Sequence, residues 1–351
     1  MFDFSNKNVV FMRLVAFYKC LIIITILKGD KNMSYSNIVV AGGGVLGSQI
    51  AFQAAYCGFN VTIWLRSEGS IGRTQPKLDT LKQTYIDAIE QMSQDKNAWC
   101  AGLADEDNFD KEACLKKTEA AYAGIRLETD MAKAVTDADL VIESMAENEK
   151  DKIAFYEKLA PLLPEKTVIV TNSSTLLPSM FAKYTGRPEK YLSLHFANSI
   201  WKNNTAEVMI QPKTDEKYFN EVMQFANEIR MIGLPVKKEK SGYLLNSMLV
   251  PFLLSGLDLY AAGISDPESI DTAWTRGTGA PKGPFQIFDT VGLTTAYNIV
   301  HQYQSVPGIF SPLLKKMMMP YNFKKMEAIL KKYIDEGKLG ISSGEGFYKY
   351  R

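Results

Sequence analysis

Apolar positions along this chain change their spacing several times, and each change marks an element. The run Ile38-Val39-Val40-Ala41 is continuously apolar and β-branched, the pattern of a strand buried on both faces. It breaks at Gly42 to Gly47, continues as a helix-like segment from Ser48 to Cys57, breaks again at Gly58 and returns as a strand from Val61 to Leu65. That order predicts a β-α-β unit. Further strand-like runs, Leu140-Val141-Ile142, Val168-Ile169-Val170 and Tyr191-Leu192-Ser193-Leu194, are each separated by a segment of helix length. Strands alternating with helices predict an α/β fold with a Rossmann-type, doubly wound and mainly parallel sheet.

Residues 66–129 are polar, charged and helix-prone, with no strand signal; they read as helices projecting from the sheet beside the substrate. After Pro235 the pattern turns helical. Gly242 to Ala262 is a long apolar helical stretch, and Asp266-Pro267-Glu268-Ser269 is a helix start. The chain is therefore expected to divide into an α/β domain over residues 33–235 and an all-helical C-terminal domain over residues 236–351. Ahead of both, the apolar stretch from Phe11 to Leu27 is interrupted by Arg13 and Lys19. Its unbroken part, Cys20 to Leu27, falls far short of the roughly 20 residues that span a bilayer. Lys28-Gly29-Asp30-Lys31 follow it where a secretory signal would need small residues. Residues 1–32 are thus expected to be an extension outside the fold, preceding a start at Met33.

Composition narrows the function classes. A length of 351 residues with 46% hydrophobic residues suffices for two cores. Lys+Arg 40 against Asp+Glu 39 leaves a net charge of +1, so no excess charge attracts a nucleic-acid backbone or a membrane surface. The four cysteines, Cys20, Cys57, Cys100 and Cys114, form no C-x-x-C pair, which fits a reducing cytoplasm and offers no zinc or redox motif. The two histidines, His195 and His301, are the only side chains whose ordinary titration suits a general base near neutral pH.

Gly42-Gly43-Gly44-Val45-Leu46-Gly47 satisfies G-x-G-x-x-G directly after a buried strand and at the opening of a helix. Glycines there permit a tight turn and let backbone N–H groups approach a pyrophosphate at the positive helix end. The whole β-α-β frame favours dinucleotide binding over a purely structural turn. At the end of the second strand, a carboxylate would bind the ribose 2′-hydroxyl of NAD, but the chain reads Ile63-Trp64-Leu65-Arg66-Ser67. Arg66, with Ser67 as a second donor, suits the 2′-phosphate of NADP instead; the alternative is an ordinary solvated arginine.

Thr171-Asn172-Ser173-Ser174-Thr175 follows a strand and should fall at the carboxyl edge of the sheet, where ligands bind. The next strand ends in Leu194-His195-Phe196, and Glu207 comes within reach if the intervening loop folds back. A histidine oriented by a carboxylate is suited to abstracting a hydroxyl proton during hydride transfer. A buried structural histidine is the competing explanation.

These blocks resemble the L-3-hydroxyacyl-CoA dehydrogenase family from about Ser36 to the C-terminus. The likeness rests on Gly42 to Ala51, Ala138 to Glu143 with Glu147-Asn148, Asn172-Ser173-Ser174, His195-Phe196 with Asn198, Glu207-Val208, Gly242 to Asn246, Gly279 to Phe285, Asp289 with Gly292-Leu293, and Ser343 to Tyr350. The resemblance implies His195 as general base, Glu207 as its orienting carboxylate, and Ser174 and Asn246 as hydrogen-bond partners of the substrate oxygen at C3. It matches Glu147, Lys152 and Asn198 to cofactor contacts, beside Gly42, Gly44, Val45, Leu46 and Gly47 of the glycine loop. It further implies a short-chain acyl-CoA substrate of the 3-hydroxybutyryl type, NAD or NADP as cofactor, no metal, and a homodimer through the second domain.

The chain departs from the family at several points. Leu65 stands in place of the ribose-binding Asp, residues 197–204 lack the prolines that usually follow the Asn, and Ser342 replaces a frequent cofactor-facing Lys. The altered loop keeps open a dehydrogenase of a free hydroxy acid, of the carnitine or gulonate type. A nucleotide sensor without catalysis is a further class, disfavoured by the intact Ser174, His195, Glu207 and Asn246 set. Tyr243 to Ala262 reads as cleft lining, dimer interface or plain core, and Lys116-Lys117 and Lys237-Lys238 as CoA-phosphate contacts or solvated surface.

Overall fold

A computed structural model describes residues 33–304 and 321–350, so the extension expected over residues 1–32 lies outside the described residues. The first unit ends at Ser241 and the second begins at Gly242. Pro235, where the sequence pattern changes, lies inside the last strand of the first unit.

The first unit is built on one eight-stranded sheet. Its strands are β1 (Asn37–Ala41), β2 (Asn60–Trp64), β3 (Arg126–Glu128), β4 (Leu140–Glu143), β5 (Val168–Thr171), β6 (Tyr191–Phe196), β7 (Thr205–Met209) and β8 (Ile232–Val236). Their spatial order is β3-β2-β1-β4-β5-β6-β7-β8. The sheet is parallel from β3 through β6; β7 then runs antiparallel to β6, with β8 parallel to β7. The sequence order reverses between β1 and β4, which places a switch point beside the glycine loop that follows β1.

Period-2 alternation sorts the strand side chains into two cores. Ile38, Val40, Leu140, Ile142, Val168 and Val170 fill one face. Val39, Ala41, Val141, Ile169 and Tyr191 fill the other. Over the first face lie α1 (Val45–Tyr56), α2 (Glu68–Gln94) and α3 (Lys111–Gly124), packed on one another. Leu78, Leu81, Tyr85, Ile89 and Met92 form the buried stripe of α2, and the Tyr85 hydroxyl donates to Gln53 Oε1 at 2.6 Å. The helices of residues 66–129 are thus tied into the core rather than simply projecting. The second face carries α4 (Met131–Val135) and α5 (Glu149–Leu159), and α6 (Glu216–Glu228) packs on β7 and β8.

Three strands escape the sequence pattern, and β3 overturns the expectation of a strand-free segment. It is three residues long, polar and at the sheet edge, where a strand needs backbone partners on one side only. At the opposite edge, β8 carries Pro235, tolerable because an edge strand has N–H positions that pair with nothing. In β7 the apolar run is broken by the buried Glu207.

The second unit is helical: α7 (Leu245–Ala261), α8 (Pro267–Thr278), α9 (Pro284–Val291), α10 (Leu293–Gln304) and α11 (Phe323–Asp335). Leu253, Leu254, Leu257, Phe285, Phe288, Met326 and Leu330 form its core. Two buried carboxylates organise it. Asp271 accepts from the backbone N–H groups of Phe285 and Gln286 at 2.8 and 2.9 Å, at the start of α9. Asp289 accepts from the N–H groups of Phe347 and Tyr348 at 2.8 and 2.9 Å. A Cβ at Gly346 would lie 2.0 Å from Asp289 Oδ1. The Gly279–Phe285 and Ser343–Tyr350 blocks are therefore explained by packing within this unit.

Candidate active site

The glycine loop connects β1 to α1. Gly42 has φ +121°, a conformation that favours glycine, and a Cβ there would meet Ser144 O at 2.5 Å. A Cβ at Gly47 would meet Gly42 O at 2.1 Å. Gly44 differs: nothing lies within 4 Å of the position its Cβ would take. It is the N-cap of α1 and supplies no side-chain cap. The N–H groups of Val45, Leu46 and Gly47 thus open onto a concave space at the positive end of a helix, which fits a pyrophosphate.

Beside this loop is a cavity of about 270 Å³ whose lining includes Gly42, Gly44, Leu65, Arg66, Arg73 and Lys77. The larger cavity, about 550 Å³, lies at the amino ends of β1 and β2 around Asn37 and Asn60 and contains none of the expected site residues. Ligands in open α/β sheets bind at the carboxyl ends, so the smaller cavity is the relevant one.

Strands β5 and β6 bring the second cluster to the same carboxyl edge. Leu192, Leu194 and Phe196 of β6 fill one core, which turns His195 to the opposite face. Its ring is buried, with Nε2 3.2 Å from Ser174 Oγ and Nδ1 2.9 Å from Glu207 Oε2. Glu207 is the register partner of His195 in β7, so the loop between the strands does fold back. A carboxylate can only accept, so Nδ1 is the donor to Glu207, and in the neutral imidazole Nε2 then carries the lone pair facing Ser174. Asn172 ties the strand ends together: its Oδ1 accepts from Phe196 N at 3.1 Å and its Nδ2 donates to Ser144 Oγ at 3.3 Å.

The loop bearing Ser174 is held from below. Glu147 Oε1 accepts from Ser173 Oγ at 2.6 Å, Thr175 N at 2.8 Å and Thr175 Oγ1 at 2.9 Å. Partial burial opposes the Glu147 charge, but these hydrogen bonds and the Lys152 ammonium 3.6 Å away hold the carboxyl below the ordinary glutamate range. Lys152 is itself buried, donating to Glu143 Oε1 and Oε2 at 2.6 and 2.7 Å. Glu143 also accepts from Thr171 Oγ1 at 2.7 Å. Lys152 therefore touches the Ser174 loop through Glu147.

The structure brings together Ser174, His195 and Glu207, and separately the glycine loop with Arg66. Asn198 is exposed in the β6–β7 connection, its carbonyl accepting from Asn203 Nδ2 at 2.7 Å. Asn246 belongs to the second unit, half-buried in the first turn of α7. Sequence reasoning missed Arg73, Thr74 and Lys77 of α2, whose only signal was their place on a polar helix after the second strand. It also missed Glu143 as the partner of Lys152, although it closes the run Leu140-Val141-Ile142.

Residues 37–239 match the family profile described as 3-hydroxyacyl-CoA dehydrogenase, NAD binding domain, and residues 242–350 match that described as 3-hydroxyacyl-CoA dehydrogenase, C-terminal domain. The chain is 30% identical over 324 residues to the mitochondrial hydroxyacyl-coenzyme A dehydrogenase of Sus scrofa, covering 92% of this chain and 93% of that protein. It is 26% identical over 317 residues to a 3-hydroxybutyryl-CoA dehydrogenase of Clostridioides difficile, covering 89% and 99%. Among solved structures, a diketoreductase described as performing substrate-directed dual catalysis of dicarbonyl compounds is 45% identical, with a TM-score of 0.75, covering 90% of this chain and 99% of that one.

Proposed function

Since this chain belongs to the 3-hydroxyacyl-CoA dehydrogenase family, and so among oxidoreductases, we propose that it interconverts a short-chain 3-hydroxyacyl-CoA and its 3-oxo form. The 3-hydroxybutyryl thioester is the first candidate, and His195 is the general base. The observation that carries this reading is the continuous Ser174–His195–Glu207 hydrogen-bonded chain at the carboxyl edge of the sheet.

The chemistry follows from that chain. Ser174 Oγ holds the C3 oxygen of the substrate beside His195 Nε2. In the oxidative direction Nε2 takes the hydroxyl proton, the C3–H bond gives up a hydride, and the C3–O bond becomes a carbonyl. The bound nicotinamide dinucleotide supplies the hydride acceptor, or the donor in reverse. Glu207 keeps Nδ1 protonated and offsets the positive charge that the ring gains. The near-complete burial of His195, 5% exposed, keeps water from competing for the proton.

For the cofactor, Leu65 offers no carboxylate to a ribose 2′-hydroxyl, while the exposed Arg66 lines the cavity at the glycine loop. This supports a preference for NADP. The family resemblance supports a homodimer through the helical unit. Among the described residues no helix is long and apolar enough to cross a membrane, and the scattered cysteines suit the cytoplasm.

A second reading is reduction of a dicarbonyl compound free of CoA. It is favoured by the 45% identity to the diketoreductase and by the proline-free connection over residues 197–204. A 3-oxoacyl thioester is itself a 1,3-dicarbonyl, so both readings use the same residues.

Oxidation of NADPH and NADH with acetoacetyl-CoA, beside free acetoacetate and a simple 1,3-diketone ester, separates them. Turnover with the thioester at the highest kcat/KM supports the first reading. Turnover only without CoA transfers the function to the second, and inertness toward all three removes both.

A further inference from the structure

On α2, Ser70, Arg73 and Lys77 follow one another at helical spacing and line the same cavity as Arg66 and the glycine loop. What brings this face of α2 to the loop is visible. Thr74 Oγ1 lies 3.3 Å from Gly43 O and 2.8 Å from Ser70 O, and a Cβ at Gly43 would stand 2.1 Å from that same hydroxyl oxygen. Glycine at 43 thus permits the first turns of α2 to close on the loop. Arg73 Nη2 donates to Ser70 Oγ at 2.9 Å, and Ser70 Oγ is 3.2 Å from Ser67 Oγ.

The charge around this cavity is not balanced. Arg66, Arg73 and Lys77 all line it, Asp151 is the one carboxylate that does, and among the described residues none of the three cations is ion-paired. Glu68, the first carboxylate after β2, is turned to Thr129 Oγ1 at 2.9 Å. Like charges gathered in a concave site repel unless an anion joins them. A phosphomonoester, with its charge of about −1.5 to −2, answers that need.

We propose that Arg73 and Lys77, with Arg66 and Ser70, form the site for the ribose 2′-phosphate of NADP, and that these α2 residues set the choice between the two dinucleotides. The proposal rests on the dinucleotide-binding reading of the glycine loop and extends the NADP preference beyond Arg66. Coenzyme A carries the same chemistry as a 3′-phosphate, so the test must separate the two sources.

Calorimetric titration of the full chain with 2′,5′-ADP, 3′,5′-ADP and 5′-ADP does so, since it reads binding without turnover. The wild type should bind 2′,5′-ADP about tenfold or more tightly than 5′-ADP, and the Arg73→Ala/Lys77→Ala variant should lose most of that ratio. A ratio that survives the double substitution, in a variant shown by thermal melting to fold, overturns the role of α2 and leaves the Arg66-based preference standing. A wild type that does not distinguish 2′,5′-ADP from 5′-ADP overturns the NADP preference itself, and tightest binding of 3′,5′-ADP gives the cluster to coenzyme A. Each of these results is independent of whether acetoacetyl-CoA is turned over.

Discussion

His195 and Glu207 face each other as register partners across the antiparallel β6–β7 pair, and their side chains meet at 2.9 Å. Directly opposed residues of such a pair have Cβ atoms about 5 Å apart, so the backbone ladder fixes this contact and the connecting loop need not. The orientation of the imidazole is thus part of the sheet.

Replacing either residue should therefore damage chemistry more than fold or cofactor binding. His195→Gln should lower kcat by at least about a hundredfold, the lower range for general acid–base catalysis, while NADPH binding followed by fluorescence stays close to wild type. Glu207→Gln keeps the shape but replaces the carboxylate that fixes the tautomer, so kcat should fall with KM little changed. An active His195→Gln enzyme would remove His195 as the base.

Two glycines of one loop should respond in opposite ways. At Gly47 a Cβ would collide with a backbone oxygen 2.1 Å away, whereas at Gly44 it would enter space with no atom within 4 Å and an ordinary φ of −69°. Gly47→Ala should lower the melting temperature by several degrees, because backbone must move to admit the methyl group. Gly44→Ala should melt with the wild type yet bind dinucleotide more weakly, since the methyl group occupies the approach to the α1 N–H groups. Unchanged affinity in folded Gly44→Ala would remove this loop as the pyrophosphate site.

Why some of this was legible in sequence and some not has a physical basis. The strands β1, β4, β5 and β6 are buried on both faces and apolar at most of their positions, so their sequences announce them. Edge strand β3 packs little and β8 holds a proline, so their composition is that of loops. Strand β7 is masked by the feature that gives it a role, the carboxylate of Glu207 in an otherwise apolar run. The Ser174, His195 and Glu207 contacts needed only strand ends and a fold-back, both readable. By contrast, the approach of α2 to the glycine loop depends on Thr74 meeting Gly43, a contact between residues 31 apart that no local spacing encodes.

Glu147 gives the pH dependence a defined sign. Its carboxyl is held below the ordinary glutamate range by donors of the Ser174 loop, Ser173 Oγ and Thr175 N, and by Lys152. A depressed folded-state value means that the stabilisation is fully present above the unfolded value, about 4.3, and is lost as pH falls through the lowered folded value. Glu147→Gln, which cannot ionise, should melt a few degrees below the wild type at pH 7, and the gap should narrow as the pH falls below about 4.3, the ordinary glutamate value. Amide exchange should localise the change to residues 173–176, because those N–H and O–H groups lose their charged acceptor. A gap that stays constant as the pH falls would mean that Glu147 acts by shape alone and that its charge does not order the loop carrying Ser174.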